Sequence, residues 1–256
     1  MSLLEFRDVS VTYRGADGDV PAVRGVSLSL DAGRTLGVAG ESGCGKSTLA
    51  STVLRLLPES TKVTGEVLLN GEDILTMKWG KLRAVRWSEA AIVFQGALHS
   101  LNPVQSIGRQ IAEPISLHKT SKNPNERVGE LLEQVGIPAS RANAYPHQLS
   151  GGQRQRVMIA MALACAPSLI IADEPTTALD VMVQAQVLDL LSGLVRDLDM
   201  GMMLISHDLG ILGTSCDDLA VMYAGQIVET GPAAEVFDHP EHPYTRALAG
   251  AFPRIG

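Results

Sequence analysis

The segment Gly40-Glu41-Ser42-Gly43-Cys44-Gly45-Lys46-Ser47-Thr48 places backbone and side-chain donors where a polyphosphate could use them. Its glycines allow positive φ and bring N–H groups up to phosphate oxygens with no Cβ in the way. Lys46 stands in register to reach the β- and γ-phosphates of a nucleoside triphosphate, and Ser47 to hold Mg²⁺. The flanks agree with that chemistry. Thr35-Leu36-Gly37-Val38-Ala39 reads as a buried strand, and Ser47 to Leu57 reads as a helix whose positive end adds to the attraction.

Other clusters complete a hydrolytic constellation. Asp173-Glu174 ends the apolar run Leu169-Ile170-Ile171-Ala172, the pattern of a parallel strand buried on both faces. Ligands of open parallel sheets bind at that edge. An aspartate there can orient a Mg²⁺ shell while the next carboxylate faces an attacking water. Alone, the pair could equally be solvated turn residues. Leu149-Ser150-Gly151-Gly152-Gln153 opens an apolar helix, Val157 to Ala164. A serine and glycines at a helix start make a second phosphate-binding surface.

The elements that must position these residues follow from periodicity. Leu3 to Val9 and Val26 to Leu30 alternate apolar and polar residues and read as half-exposed antiparallel strands. Arg14-Gly15-Ala16-Asp17-Gly18 is the turn between them. Tyr13, just before that turn, reads either as an ordinary strand aromatic or as an adenine-stacking platform. Thr64 to Leu69 reads as a strand and Asn70-Gly71 as a tight turn. Ala91 to Phe94 is a short buried strand ending at Gln95.

From about Gly96 to Ala160 the strand-helix alternation stops. The helical spacing of Val128, Leu131, Leu132 and Val135 marks this section as an inserted, mainly helical lobe. A helix (Val181 to Leu198), a buried strand (Met202 to Ser206) and a helix from about Asp208 follow. A hairpin around Ala224-Gly225 and two short helical segments near Pro240 and Pro243 close the chain.

With 256 residues, 45% hydrophobic and 19% charged, the chain has the make-up of one large globular domain. Its net charge of −7 leaves no broad basic footprint, so no nucleic-acid partner is expected. Cys44, Cys165 and Cys216 have no metal-ligand spacing and suit free thiols in a reducing cytoplasm. The N-terminal MSLLEFRDVS lacks the apolar core of a signal peptide. The longest apolar stretch, Val157 to Ala172, is broken at Pro167 and too short to span a bilayer. Work at a membrane would need another subunit as anchor.

With these motifs in this order, the whole sequence resembles the ATP-binding subunits of ABC transporters. Gly40 to Thr48 is similar to the Walker A loop, Gln95 to the glutamine loop, and Ser150 to Gln153 to the signature. Leu169 to Glu174 is similar to the Walker B strand with its catalytic glutamate. Asp180, in Ala178-Leu179-Asp180, matches the loop that crosses to a partner's site. His207, in Ile205-Ser206-His207-Asp208, matches the switch histidine, and Tyr13 the adenine-stacking aromatic.

Finer strings resemble the dipeptide, oligopeptide and nickel importer branch. They are Ser100-Leu101-Asn102-Pro103, Tyr145-Pro146-His147-Gln148 and His242-Pro243-Tyr244-Thr245-Arg246. Gly96-Ala97 departs from the Asp-Pro usual there. The sequence stops at Gly256, before the cysteine-rich segment many peptide members carry. No iron–sulfur site is therefore expected, and the end resembles the nickel members.

The resemblance implies an α/β fold, a P-loop NTPase core with a mostly parallel sheet, an N-terminal antiparallel β subdomain and an inserted helical subdomain. As a single domain, residues 1–95 and 165–256 would form the core and 96–164 the helical signature subdomain. ATP and Mg²⁺ are the implied cofactors. Lys46, Gln95, Glu174 and His207 would be catalytic, and Ser47, Gln95 and Asp173 would serve the metal. Residues Gly40 to Thr48, Tyr13, Ser150, Gly151, Gly152, Gln153 and Asp180 would bind nucleotide. The implied partners are a second ATPase subunit, in a heterodimer or a homodimer, two integral membrane permease subunits and, indirectly, an extracytoplasmic binding protein, at the cytoplasmic face of a bacterial membrane. The competing expectation is an ABC-type ATPase of a soluble assembly such as the carbon–phosphorus lyase complex.

Overall fold

The computed structural model describes residues 2–15, 18–94, 100–177 and 179–250. The chain divides into two compact units, Met1–Leu82 with Gly201–Gly256, and Arg83–Met200.

In chain order the first unit holds β1 (Ser2–Tyr13), β2 (Val20–Asp31), β3 (Thr35–Ala39), α1 (Lys46–Val53), β4 (Lys62–Leu69) and β5 (Glu72–Asp73). Strands β2, β1, β4 and β5 form an antiparallel sheet in that order. β1 is longer than the expected Leu3 to Val9 because a bulge resets its alternation. Leu4 and Phe6 face the core before the bulge and Val9 and Val11 after it, so the buried phase shifts by one residue. Asp8 sits at that point with φ 49, and its N–H donates to Ser27 Oγ at 3.0 Å. Gly65 on β4 (φ 90) lies beneath the bulge, where a Cβ would stand 2.4 Å from Asp8 O.

The remaining elements of this unit are β8 (Gly201–Ser206), α7 (Leu209–Ser215), β9 (Asp218–Tyr223), β10 (Gln226–Pro232), α8 (Ala233–Asp238) and α9 (Pro243–Gly250). β3 runs parallel to both β8 and β9, with Ala39 opposite Ser206 and Val221. β9 and β10 form the expected antiparallel hairpin, turning at Ala224 (φ 45) and Gly225 (φ 85). Two positive φ values suit the right-handed strand twist.

α1 ends before the expected Leu57. Leu56 N–H donates to Ser51 O and Arg55 N–H to Thr52 O, each at 3.0 Å, with Arg55 at φ 48. That is a Schellman closure, which usually announces itself by a glycine. Here arginine takes the left-handed position, and its Nη1 donates to Met77 O at 2.7 Å.

α2 (Trp79–Ser88) leaves helical geometry at Arg86 and Trp87. The second unit then contains β6 (Ala90–Val93), α3 (Ile107–His118), α4 (Pro124–Gln134), α5 (Gly151–Ala162), β7 (Leu169–Asp173) and α6 (Val181–Asp197). β6 and β7 are parallel, with Val93 opposite Ala172, and every residue of β7 is buried. Val128, Leu131, Leu132 and Val135 are buried, as their spacing requires, and Gly136 (φ 71) follows them. α3 buries Ile107, Ile111 and Ile115 in one stripe. Among the described residues no helix is long and apolar enough to cross a membrane.

Candidate functional site: a phosphate loop and a signature helix

The first unit gathers the phosphate loop and His207 at one sheet edge. Gly40 follows β3 and His207 follows β8, strands paired in register up to Ala39 and Ser206. Gly40 has φ 150 and Gly45 φ 111. A Cβ on Gly40 would stand 2.2 Å from Met222 O, and one on Gly45 2.3 Å from Ala22 O, so neither position admits a side chain. Gly43 (φ 80) has open space beside it. No side chain caps the start of α1, where helix N–H groups lack intrahelical partners and suit an anion.

Lys46 is 4% exposed, and its Nζ donates to Gly40 O at 2.7 Å and to Glu41 O at 2.9 Å. Cys44 Sγ lies 3.8 Å from the same nitrogen. Glu41, Ser42, Gly43 and Ser47 are exposed. Tyr13, at the end of β1, shares a hydrogen bond of 3.1 Å with Thr48 Oγ1. The expected aromatic thus stands beside the first turn of α1. His207 is exposed and precedes Asp208, whose carboxylate caps α7 by accepting from Gly210 N and Ile211 N.

The second unit carries the carboxylates and the signature. Asp173 closes β7 at 7% exposure, and Glu174 follows at φ 45, a conformation that costs a non-glycine residue energy. Thr177 Oγ1 donates to Glu174 Oε2 at 3.0 Å and so fixes that carboxylate. Ser150 caps α5 reciprocally with Gln153. The serine Oγ accepts from Gln153 N at 3.3 Å, and Gln153 Oε1 accepts from Ser150 N at 3.1 Å. Asp180 caps α6 by accepting from Val183 N at 3.0 Å.

The glycines of the signature have a packing reason as well as a chemical one. A Cβ on Gly152 would lie 2.5 Å from Val183 Cγ1, and one on Gly151 3.3 Å from Leu179 Cδ2. Gly152→Ala is expected to cost about 1–3 kcal/mol, as overpacking does. Val183→Ala should recover much of that loss. Thermal denaturation of the single and double variants checks this, and strictly additive losses would contradict the contact. Gln95 and Ala178 lie outside the described residues, as does Gly96-Ala97.

Residues 23–177 match the family described as ABC transporter, and residues 228–256 match the oligopeptide/dipeptide transporter C-terminal region. The chain belongs to the ABC transporter ATP-binding family. A peptide import ATP-binding protein of Brucella abortus (strain 2308) is 50% identical over 99% of this chain and 78% of its own length. The oligopeptide transport ATP-binding protein OppD of Bacillus subtilis (strain 168) is 46% identical over 99% of this chain and 72% of its own length. A dimeric ATP-binding cassette in a post-hydrolysis state, bound to ADP and Pi, superposes with TM-score 0.79 at 26% identity, covering 90% of this chain and 98% of that one. The fold is therefore that of an ABC ATPase, and the chain is an ATPase coupled to transmembrane transport.

Sequence reading did not find several contacts in this ABC ATPase. Thr177, which holds Glu174, is a threonine in a turn, and no spacing rule marks it. Gln110, 5% exposed, pins Asn102 through both amide atoms, accepting from its N at 2.8 Å and donating to its O at 3.0 Å. That clamp fixes the Ser100-Leu101-Asn102-Pro103 string. The hairpin tip and the tail also touch the phosphate loop. Gly225 N donates to Cys44 O at 2.9 Å, and Glu41 N donates to the Tyr244 hydroxyl at 3.1 Å.

Proposed function

We propose that the chain is the ATP-hydrolysing subunit of an importer for peptides, working at the cytoplasmic face of a membrane with a second ATPase subunit and two permease subunits. The match of residues 228–256 to the oligopeptide/dipeptide transporter C-terminal region carries this reading. The likeness to relatives named for peptide import supports it and gives no support to a soluble enzyme assembly. An extracytoplasmic binding protein would deliver the cargo.

In this reading Lys46 exchanges the Gly40 and Glu41 carbonyls for the β- and γ-phosphate oxygens of ATP. Gly40, Glu41, Ser42, Gly43, Cys44, Gly45 and Thr48 shape the cradle, and Tyr13 stacks on the base. Glu174 takes a proton from the attacking water, and His207 holds the γ-phosphate and the water in line. Gln95 senses the water and passes the change to the lobe of residues 96–164. That lobe meets the membrane subunits. Ser150, Gly151, Gly152 and Gln153 of one subunit close over the ATP held by its partner, with Asp180 crossing beside them. Closure completes each site, so hydrolysis follows association.

Among the described residues no group of three or more His, Cys, Asp or Glu could hold a metal ion. The hydroxyl of Ser47 and the carboxylate of Asp173 are instead hard oxygen donors, with Gln95 as a third. Such a sparse set fits Mg²⁺, which keeps waters and takes phosphate oxygens. When bound, it would offset charge developing on those oxygens.

Uptake into vesicles reconstituted with the copurified membrane subunits tests the cargo. ATP-dependent accumulation of a labelled oligopeptide is expected. Accumulation of Ni²⁺ without peptide, or copurification with soluble enzymes alone, would overturn the reading.

A further inference from the structure

The tail string His242-Pro243-Tyr244-Thr245-Arg246 is built into the first unit residue by residue. His242 Nδ1 accepts from Tyr244 N at 3.2 Å and so caps α9, with Pro243 at the first helical position, where a missing N–H costs nothing. The Glu229 carboxylate on β10 receives Glu241 N at 2.7 Å and His242 N at 3.1 Å. Arg246 Nη2 donates to Glu241 O at 2.6 Å, and Thr245 is fully buried. The outcome of this scaffolding is the placement of one hydroxyl. Tyr244 leans on Tyr223, ring centroids 4.5 Å apart, and its oxygen accepts the Glu41 N–H.

Glu41 is the first residue after Gly40; Gly40 is buried against the Met222 carbonyl, whereas Glu41 is exposed. Polar contacts hold both of its peptide groups. Its carbonyl accepts from Cys44 N at 3.3 Å and, with that of Gly40, receives the Lys46 ammonium. Its N–H is received by Tyr244. A triphosphate that attracts Lys46 takes the ammonium from both carbonyls, leaving the Cys44 N–H on the Glu41 carbonyl and Tyr244 on the Glu41 N–H. Without Tyr244 the Gly40–Glu41 peptide loses the acceptor of its N–H, and the turn gains freedom that ATP binding must then remove.

We propose that Tyr244 is a positioning residue for the phosphate loop, holding the Gly40–Glu41 turn through the Glu41 N–H, which makes the tail string a working part of the nucleotide site. The proposal rests on the ATPase reading of that loop.

Tyr244→Phe keeps the ring on Tyr223 and deletes only the acceptor. Loss of one such bond should weaken ATP binding by the full chain about 2- to 10-fold in calorimetric titration. In the assembled transporter KM for ATP should rise by a similar factor with kcat unchanged. The melting temperature should match that of the wild type. Tyr244→Ala, which also removes the ring contact, should weaken ATP further. Wild-type affinity in Tyr244→Phe overturns the proposal. So does a loss of affinity that comes with a parallel drop in melting temperature, since that marks a general packing role. A wild-type chain that fails to bind ATP overturns the functional reading itself, and the proposal with it.

Discussion

Glu174→Gln retains ATP binding and loses turnover by about a hundredfold or more, the range in which a general base contributes. The substitution keeps the shape of the side chain and its capacity to accept from Thr177, whose hydroxyl lies 3.0 Å from Oε2. What it removes is the carboxylate proposed to take a proton from water. The backbone at φ 45 holds this side chain at the end of a fully buried strand, so the amide should occupy the same place. A rigidly placed base is the arrangement in which loss of basicity, rather than loss of position, dominates. Phosphate release by the assembled transporter and ATP retained by the isolated subunit are the readouts. The variant should trap ATP in a closed dimer. Undiminished steady-state hydrolysis would remove Glu174 from its assigned role.

Lys46→Ala acts on the step before. The residue is 4% exposed, and its ammonium is held by two backbone carbonyls of its own loop. Transfer to phosphate oxygens exchanges neutral acceptors for charged ones. Hydrogen bonds to charged groups contribute about 1.5–3 kcal/mol each, so ATP affinity should fall by about ten- to a hundredfold. The same substitution leaves the Gly40 and Glu41 carbonyls without that donor, at a cost of about 1 kcal/mol to stability. A titration with ATP beside a thermal melt separates the two effects. Equal ATP affinity in the variant would contradict the assignment of the loop.

Much of the candidate site's local geometry was legible because backbone geometry constrains its residues. Gly40 and Gly45 are required by the carbonyls of Met222 and Ala22, and the spacing of Lys46 follows from the loop they form. Ser150 and Gln153 spell a capping box in the sequence and make one in the structure. The hairpin at Ala224-Gly225 was equally plain.

Other features escaped because the usual signal was displaced. α1 is closed by a left-handed Arg55 rather than by a glycine. The bulge at Asp8 breaks the alternation that would have extended β1. α3 carries Pro114 in its interior, which reads as a helix stop, while its stripe of isoleucines is what sustains it. Thr177 and Tyr244 act across contacts that no local pattern encodes. The tail string was visible as a family resemblance, but its hydrogen bond to Glu41 is 203 positions distant in the chain and emerges only from the fold.

The phosphate loop in this account is half of an active site, and the signature of a partner is the other half. Ser150→Arg in every ATPase subunit of the assembly tests that most directly. Ser150 caps α5, so its loss costs about 1 kcal/mol, and ATP binding by the isolated subunit provides the control for folding. ATP affinity in the isolated subunit should be unchanged, and the assembly should not hydrolyse ATP. Normal turnover by an assembly in which every signature is altered would contradict the shared site.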